Sequence, residues 1–134
     1  MKDKTKLETF FIVSTQTGST SPRILLQRDT ELEDILQGHN INYQRVIGLY
    51  QGVTETSYMV VGADKESVVA ELAKSFEQEC YLKVDQDRQA TLVGELRNVE
   101  LGTWTELHGA RVNEPAWTLD PRTGVTYYCR KEAK

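Results

Sequence analysis

The feature that most constrains the fold of this chain is an amphipathic helix that runs directly into a strand. Asp64 is a good helix N-cap, and the residues after it place one apolar stripe at helical spacing: Val68, Val69, Leu72, Ala73 and Phe76. Cys80–Val84 then has the composition of a strand. Three polar residues fill the junction: Glu77, Gln78 and Glu79. Side chains at such a joint point beyond the end of the sheet, so we expect this junction to contribute to a binding site.

The first part of the chain shows the same alternation of strand and helix. Phe10–Ser14 is a short apolar run followed by a polar, glycine-containing loop, which predicts a buried strand and its connection. A helix is expected next, with Pro22 at its first position and Gly38 as its left-handed C-terminal cap. An alternative start at Thr30, with Glu33 completing a capping box, shortens the helix without moving its buried face.

The remaining segments read as hairpins. Tyr43–Gln51 and Ser57–Gly62 are rich in valine, isoleucine and tyrosine and flank a turn-prone stretch, which predicts a first hairpin. Cys80–Val84 is followed by a polar turn and by a second strand at Ala90–Leu96. The tail Ala116–Cys129 predicts a further hairpin, because an aspartate-proline pair and a glycine supply turn residues at its centre.

The order strand, helix, hairpin, helix, strand predicts a ferredoxin-like α+β fold. A β-α-β-β-α-β succession places both helices on one face of an antiparallel sheet, with the extra C-terminal strands added to it. The chain has 134 residues, which is the size of one domain spanning residues 1–134. The other sheet face then needs a cover, and the first hairpin offers it apolar side chains: Val46, Ile47, Leu49, Met59 and Val61. A homo-oligomer is the expected solution.

Composition and charge exclude several classes of function. The net charge of -4 argues against nucleic-acid binding, which draws its affinity from Lys and Arg placed against phosphates. The charged N-terminal residues are not followed by a secretory apolar region, and no window approaches a membrane span, so a cytoplasmic protein is expected. Cys80 and Cys129 lie among apolar neighbours in predicted strands, where a thiol behaves as a small buried hydrophobe.

The common catalytic constellations are missing from the sequence. His39 and His108 are the only histidines, and neither has a cysteine or carboxylate at zinc-ligand spacing, so no metal site is expected. The serine-nucleophile elbow, the phosphate loop and the dinucleotide fingerprint are all absent. Carboxylates, tyrosines and a loop rich in serine and threonine remain as candidate functional groups.

Four short motifs together resemble one family. Glu77-Gln78-Glu79-Cys80 is followed by Glu106-Leu107-x-Gly109 and then by a Thr-x-Asp-x-x-x-Gly turn that begins at Thr118, while Phe10–Ser14 matches an opening strand. This set resembles the small phage-encoded S-adenosylmethionine lyases, long called hydrolases, over most of the chain. The chain departs from that family in lacking a basic insertion between the first helix and the hairpin.

The resemblance implies a reaction that needs no cofactor. In that family the carboxylate of S-adenosylmethionine closes a lactone on its own Cγ and expels methylthioadenosine, so that positioning supplies most of the rate. It also implies a homotrimer with substrate sites in the clefts between subunits. In a phage, the activity lowers the S-adenosylmethionine of the host cell and thereby opposes restriction.

The charge change of this reaction indicates what the carboxylates do. The sulfonium charge disappears as the carbon–sulfur bond breaks, so a Glu in contact with sulfur stabilises the ground state more than the transition state. A useful Glu therefore holds the substrate ammonium or a ribose hydroxyl. With the resemblance, this gives Glu79, Tyr58 and Glu77 as candidate catalytic residues. The candidate substrate-binding residues are Gln78, Glu106, Ser14 and Thr15.

Two further function classes and a second mechanism stay open at this point. A non-catalytic trimeric nucleotide-binding regulator of the nitrogen-regulatory type shares the ferredoxin-like fold and the intersubunit cleft. An acidic antirestriction protein that acts by surface mimicry is a third class, but the net charge of -4 is modest for it. A hydrolase that gives homoserine directly needs the same residue types, with a Glu as general base for water.

Overall fold

Ten regular elements and a short 3-10 turn follow one another in the computed structural model, which describes residues 8–15, 22–50, 53–78, 80–94, 97–107 and 116–130. The elements are β1 (Phe10–Ser14), α1 (Pro22–Gly38), β2 (Tyr43–Tyr50), β3 (Val53–Val61), the 3-10 turn (Ala63–Lys65), α2 (Glu66–Ser75), β4 (Cys80–Val84), β5 (Gln89–Gly94), β6 (Asn98–Leu107), β7 (Ala116–Asp120) and β8 (Val125–Arg130). The predicted succession of strand, helix, hairpin, helix and strand is therefore present. No bounds were predicted for β6.

The eight strands form one closed antiparallel barrel in the order β1-β3-β2-β7-β8-β6-β5-β4. The expected ferredoxin-like open sheet is therefore wrong. The reason lies in the C-terminal strands: β5 and β6 continue the sheet from β4, while β7 pairs with the far edge strand β2. The pairing of β8 with both β6 and β7 then closes the ring, which removes every free edge.

The barrel fills its own interior. Side chains of Ile12, Val46, Val84, Ala90 and Trp104 form the inner core cluster. Of the apolar side chains of the first hairpin, Val46 is buried inside the barrel and Met59 packs against the same cluster, whereas Val61 is 47% exposed. The homo-oligomer stays a prediction.

Both helices pack against the outside of the barrel, over β1, β3 and β4. The outer core cluster joins Leu32 and Leu36 of α1 and Leu72 of α2 to Phe11 and Val13 of β1. Because Ile12 faces the interior while its neighbours face the helices, β1 is buried on both sides. This double burial explains why β1 is a continuous apolar run in place of an alternating one.

The end of α1 differs from the expectation. Gly38 is the last helical residue, and the left-handed cap conformation belongs to Asn40, with φ 56°. The amide of Asn40 donates to the carbonyl of Gln37 and that of Ile41 donates to Leu36, at 3.0 and 2.9 Å. Asparagine tolerates this conformation better than most residues, so an asparagine in place of a glycine costs little free energy here.

Because all neighbouring strands are antiparallel, the barrel has two ends that can be assigned from the register. The Ser14 end contains the end of β1 and the starts of β3, β4 and β6. The Glu106 end contains the start of β1 and the ends of β4 and β6. Within the described parts of the chain, no helix is long and apolar enough to cross a membrane.

Candidate active site

The backbone of the helix-to-strand junction has a left-handed conformation at a residue that is not glycine. After α2 ends, the amide of Glu77 donates to Lys74 at 3.2 Å and that of Gln78 donates to Ala73 at 2.7 Å. This bonding pattern is a Schellman motif, and it places Glu77 at φ 60°, the left-handed position where glycine is favoured. A non-glycine residue in this conformation costs about 1–2 kcal/mol, so stability alone does not explain a glutamate here.

One arginine of α1 fastens this junction. Arg28 donates from Nη2 to the carbonyl oxygen of Phe76 at 2.5 Å, and its Nη1 lies 3.3 Å from Oε1 of Glu77. The side chain of Glu77 remains 73% exposed, so its carboxylate is accessible despite this ion pair. Gln78 donates from Nε2 to the same Phe76 carbonyl at 3.3 Å. Glu79, the first candidate from the sequence, lies outside the described residues.

The end of β1 is held by Asp29, the residue that follows Arg28 in α1. The Thr15 hydroxyl forms a short hydrogen bond with Oδ1 of Asp29, and the Ser14 hydroxyl donates to the carbonyl of Thr56 at 3.2 Å. Both hydroxyl-bearing residues are buried. The structure therefore brings two predicted groups, the end of β1 and the junction, to one end of the barrel on either side of α1.

Glu55 is a carboxyl group of this end that the sequence did not single out. Burial raises the pKa of Glu55, and a hydrogen bond from Ser14 only partly opposes this rise. The sequence predicts a turn at residues 52–56, whereas β3 begins at Val53 and pairs Glu55 with Gly48. The alternation of Glu55 with Ser57 and Met59 on one face of the strand was the available signal.

Tyr58 lies beneath α1 and not on an open surface. Its side chain is fully buried, and its hydroxyl donates to Oε2 of Glu33 at 2.8 Å. Glu33 also accepts hydrogen bonds from the Tyr43 hydroxyl at 2.9 Å and from Arg45. The alternative helix start at Thr30 is wrong, because α1 begins at Pro22 and Glu33 serves this network in place of a capping box.

The charge state of Glu33 follows from these contacts. Burial raises the pKa of Glu33, but the hydrogen bonds from Arg45, Tyr58 and Tyr43 outweigh it and bring the pKa below its ordinary value. Burial, and then the bond to Glu33, raise the pKa of Tyr58. At neutral pH Tyr58 is therefore a protonated donor and Glu33 an ionised acceptor.

Glu106 lies in a different place, at the other end of the barrel. Its Oε2 is 4.0 Å from Nη2 of Arg88, at the rim of a cavity of about 200 Å³. Trp104 stacks on Tyr127 inside the barrel, with ring centroids 5.1 Å apart, and is 4% exposed. The cavity is lined by Glu8, Phe10, Met59, Val84, Asp85, Arg88, Trp104, Glu106 and Tyr127.

A comparison with known families identifies the chain. The S-Adenosylmethionine lyase family matches residues 6–130, which is nearly the whole sequence. The chain belongs to the S-Adenosylmethionine lyase family. The resemblance carried by the Glu77–Cys80 and Glu106 motifs is thereby confirmed for the family, while its phage origin stays a prediction. None of the curated proteins matches the chain at a significant level.

For a member of the S-Adenosylmethionine lyase family, the separation of the two acidic groups has a direct consequence. Asn98 begins β6 at the Ser14 end, and Glu106 lies eight residues farther along the same strand. At about 3.3 Å per residue this separation is roughly 26 Å, several times the reach of a side chain. Glu77 and Glu106 of one protomer therefore lie toward opposite ends of the barrel.

The described side chains of this lyase-family protein supply carboxyl and hydroxyl groups but no cluster of metal ligands. Among the described residues, no group of three or more His, Cys, Asp or Glu side chains is placed to hold a metal ion. At the Ser14 end, Asp29, Glu55 and Glu77 supply carboxyl groups, while the nearby Arg28 is committed to the junction. Such a site suits an organic cation that needs orientation.

Proposed function

We propose that this protein cleaves S-adenosylmethionine into methylthioadenosine and homoserine lactone. A carboxylate oxygen of the substrate forms a bond to its own Cγ, the Cγ–sulfur bond breaks, and its electron pair passes to sulfur, which leaves as a neutral thioether. Membership of the S-Adenosylmethionine lyase family supports a substrate of this kind. The acidic Ser14 end is the structural observation that carries the proposal.

Arg28 contacts the junction, and it suits this mechanism because its guanidinium group already has partners there. Arg28 donates to the Phe76 carbonyl and to Glu77, so it is not free to neutralise the attacking carboxylate of the substrate. A tight arginine clamp on that carboxylate blunts its nucleophilicity and stabilises the ground state. We assign Glu79 and Glu77 to the substrate ammonium, with Gln78, Ser14 and Thr15 as further polar contacts.

The separation of the acidic groups supports a site built from two protomers. If the junction of one protomer meets Glu106 of a neighbour, both groups contact one substrate although they lie at opposite ends of each barrel. Glu106 then holds a ribose hydroxyl or the ammonium from the second side. We propose a homotrimer for this assembly, because closed cyclic symmetry repeats one such contact around a ring.

The wider setting follows from the chemistry and stays a proposal. The reaction needs no cofactor, since nucleophile and leaving group belong to one molecule. In the cytoplasm of a host cell, a phage-encoded enzyme of this kind lowers the S-adenosylmethionine on which methyltransferases and some restriction enzymes depend. The alternative of a nitrogen-regulatory type of nucleotide sensor rested on an open ferredoxin-like sheet, which the closed barrel replaces.

Turnover in oxygen-18 water tests the proposed reaction. Purified protein mixed with S-adenosylmethionine is followed by liquid chromatography and mass spectrometry for methylthioadenosine, homoserine lactone and homoserine. We expect methylthioadenosine together with unlabelled lactone as the first products. Labelled homoserine ahead of spontaneous lactone opening establishes hydrolysis instead, with a Glu as general base for water. Binding of S-adenosylmethionine without product defeats the enzymatic assignment.

A charge-removing variant ties the turnover to the junction. Glu79→Gln keeps size and hydrogen-bonding capacity, and its loss of a charged hydrogen bond is expected to lower kcat/KM by about 10-fold to 100-fold. Glu71→Gln is the matched control, because Glu71 is an exposed residue of α2. If Glu79→Gln stays within about twofold of the wild type, the assignment of Glu79 is wrong.

A further inference from the structure

We propose that Arg28 is a positioning residue of the active site, because it fixes the junction Phe76–Gln78 against α1 at the distance that substrate binding requires. This inference rests on the proposed function. Arg28 does not touch substrate in this assignment. It acts through the backbone of Phe76 and the carboxylate of Glu77, which carry the predicted ammonium site with them.

Arg28 contacts the junction through both terminal nitrogens of its guanidinium group and through its guanidinium plane. Nη2 donates to the Phe76 carbonyl at 2.5 Å, Nη1 lies 3.3 Å from Glu77, and the guanidinium carbon is 5.6 Å from the centroid of the Phe76 ring. Three contacts to two successive residues determine both the position and the rotation of the junction. A lysine has a single nitrogen and cannot form the same set.

The position of Arg28 is poorly explained by stability alone. Its side chain is only 18% exposed, and within the described residues its Nε is buried without a hydrogen-bond partner. A buried donor left unpaired is unfavourable, so a purely structural position favours an apolar side chain of similar length. An arginine at this position, like the strained backbone of Glu77, indicates a requirement other than stability.

Asp29, the residue after Arg28 in α1, contacts the second segment of the proposed site, which is the end of β1. Asp29 binds the Thr15 hydroxyl at the end of β1, while Arg28 binds the junction after α2. Two consecutive residues of α1 therefore set the spacing between the two groups of predicted substrate contacts. A shift of about 1 Å between such groups is enough to lower a rate by about 100-fold.

Steady-state kinetics of three variants test this role. Arg28→Met removes the hydrogen bonds and keeps an apolar stem, and it is expected to lower kcat/KM by at least about tenfold with a raised KM. Arg28→Lys is expected to recover part of the loss. Lys83→Met is the matched control, because Lys83 pairs with Glu66 of α2 at 3.0 Å, at the opposite end of that helix from the junction. It should stay within about twofold of the wild type.

The division between KM and kcat separates positioning from folding. A variant that only lowers the folded fraction reduces kcat and leaves KM unchanged, whereas a displaced ammonium site raises KM. The double variant of Arg28→Met with Glu79→Gln is expected to be no worse than the more damaging single variant, since both act on one contact.

Two results overturn the positioning role in a protein that turns over S-adenosylmethionine. One is a loss of kcat/KM in the double variant equal to the product of the two single losses, and the other is an unchanged KM for Arg28→Met. Absence of turnover in the wild type instead overturns the proposed function itself.

Discussion

Tyr58 and Glu33 are joined by a 2.8 Å hydrogen bond that ties β3 to α1 across the outer core. Tyr43 donates to the other oxygen of the same carboxylate at 2.9 Å, so the two tyrosines form a matched pair. Each tyrosine hydroxyl supplies one hydrogen bond of a network whose acceptor is charged. A comparison of variants of the two tyrosines therefore separates a structural role of the phenol from a role in turnover.

Tyr58→Phe is expected to reduce both stability and activity, and Tyr43→Phe to reduce stability alone. Each variant deletes one hydroxyl and keeps the ring, which costs about 1–2 kcal/mol in the free energy of unfolding because the acceptor is charged. Only Tyr58 is a predicted site residue, and its variant should lower kcat/KM by about tenfold. Urea unfolding and steady-state kinetics measure the two effects. Equal activities of the two variants would show that Tyr58 has only a structural role.

Removing the charge of Glu33 should destabilise the fold at neutral pH and have less effect in acid. The folded-state pKa of Glu33 lies below the ordinary value of 4.5, so its stabilising contribution is present above pH 4.5 and is lost as the pH falls through the folded pKa. We expect Glu33→Gln to cost about 1–2 kcal/mol at pH 7. Denaturant unfolding of both proteins between pH 3 and 7 measures the difference, and a gap independent of pH contradicts the assignment.

Glu55 should show the opposite dependence on pH. Burial raises its folded-state pKa above 4.5, so the wild type loses stability as the pH rises through that folded pKa and carboxylate forms in a half-buried position. Glu55→Gln is therefore expected to stabilise the protein at pH 7 and to have little effect below pH 4.5. The same unfolding series measures this gain, and a loss of stability at pH 7 contradicts the prediction.

The local elements were predictable because their signals are local. The apolar stripe of α2 predicts four residues that are buried in the structure: Val69, Leu72, Ala73 and Phe76. The apolar run Phe10–Ser14 predicts β1 with its observed bounds. Barrel closure depends on the pairing of β2 with β7 and of β6 with β8, which join distant parts of the chain. Nothing in the periodicity of these strands distinguishes a closed sheet from an open one.

The same distinction applies to the site. Ser14, Thr15, Glu77 and Gln78 are candidates from the sequence because polar residues at the ends of elements are visible there. The sequence does not single out the groups that contact these candidates or Tyr58, because they are polar residues of α1: Arg28, Asp29 and Glu33. Their spacing equals that of a solvated helix face, and only the docking of α1 on the barrel shows which of them meet β1, β3 and the junction.

A site shared between protomers predicts complementation between inactive variants. Glu79→Gln and Glu106→Gln remove residues that the proposed site takes from different protomers. When the two variants are co-expressed in equal amounts, about a quarter of the sites combine an intact junction with an intact Glu106, and about a quarter of the wild-type activity is expected to return. The control is the pair Glu79→Gln and Glu77→Gln, which lie on one segment and should not complement.

Failure of Glu79→Gln and Glu106→Gln to complement in a verified mixed oligomer contradicts the shared site. Analytical ultracentrifugation provides the independent check on assembly. A protein that is monomeric at micromolar concentration contradicts both the trimer and the shared site.

The left-handed backbone of Glu77 offers a test of whether function maintains a strained residue. Glu77→Gly relieves a backbone cost of about 1–2 kcal/mol, against which stand the higher entropy of glycine in the unfolded chain and the loss of an exposed ion pair with Arg28. The free energy of unfolding is therefore expected to stay equal or to rise by up to about 1 kcal/mol. If Glu77 holds the substrate ammonium, kcat/KM falls by about tenfold or more in the same variant.

Asn40→Gly is the control for this test, because it makes the same backbone change at the end of α1, where Asn40 has φ 56°. Its stability should change in the same direction, and its kcat/KM should stay within about twofold of the wild type. Thermal unfolding and steady-state kinetics of both variants give the comparison. If Glu77→Gly keeps full activity, the strain at Glu77 has no catalytic purpose, and the ammonium contact then belongs to Glu79 alone.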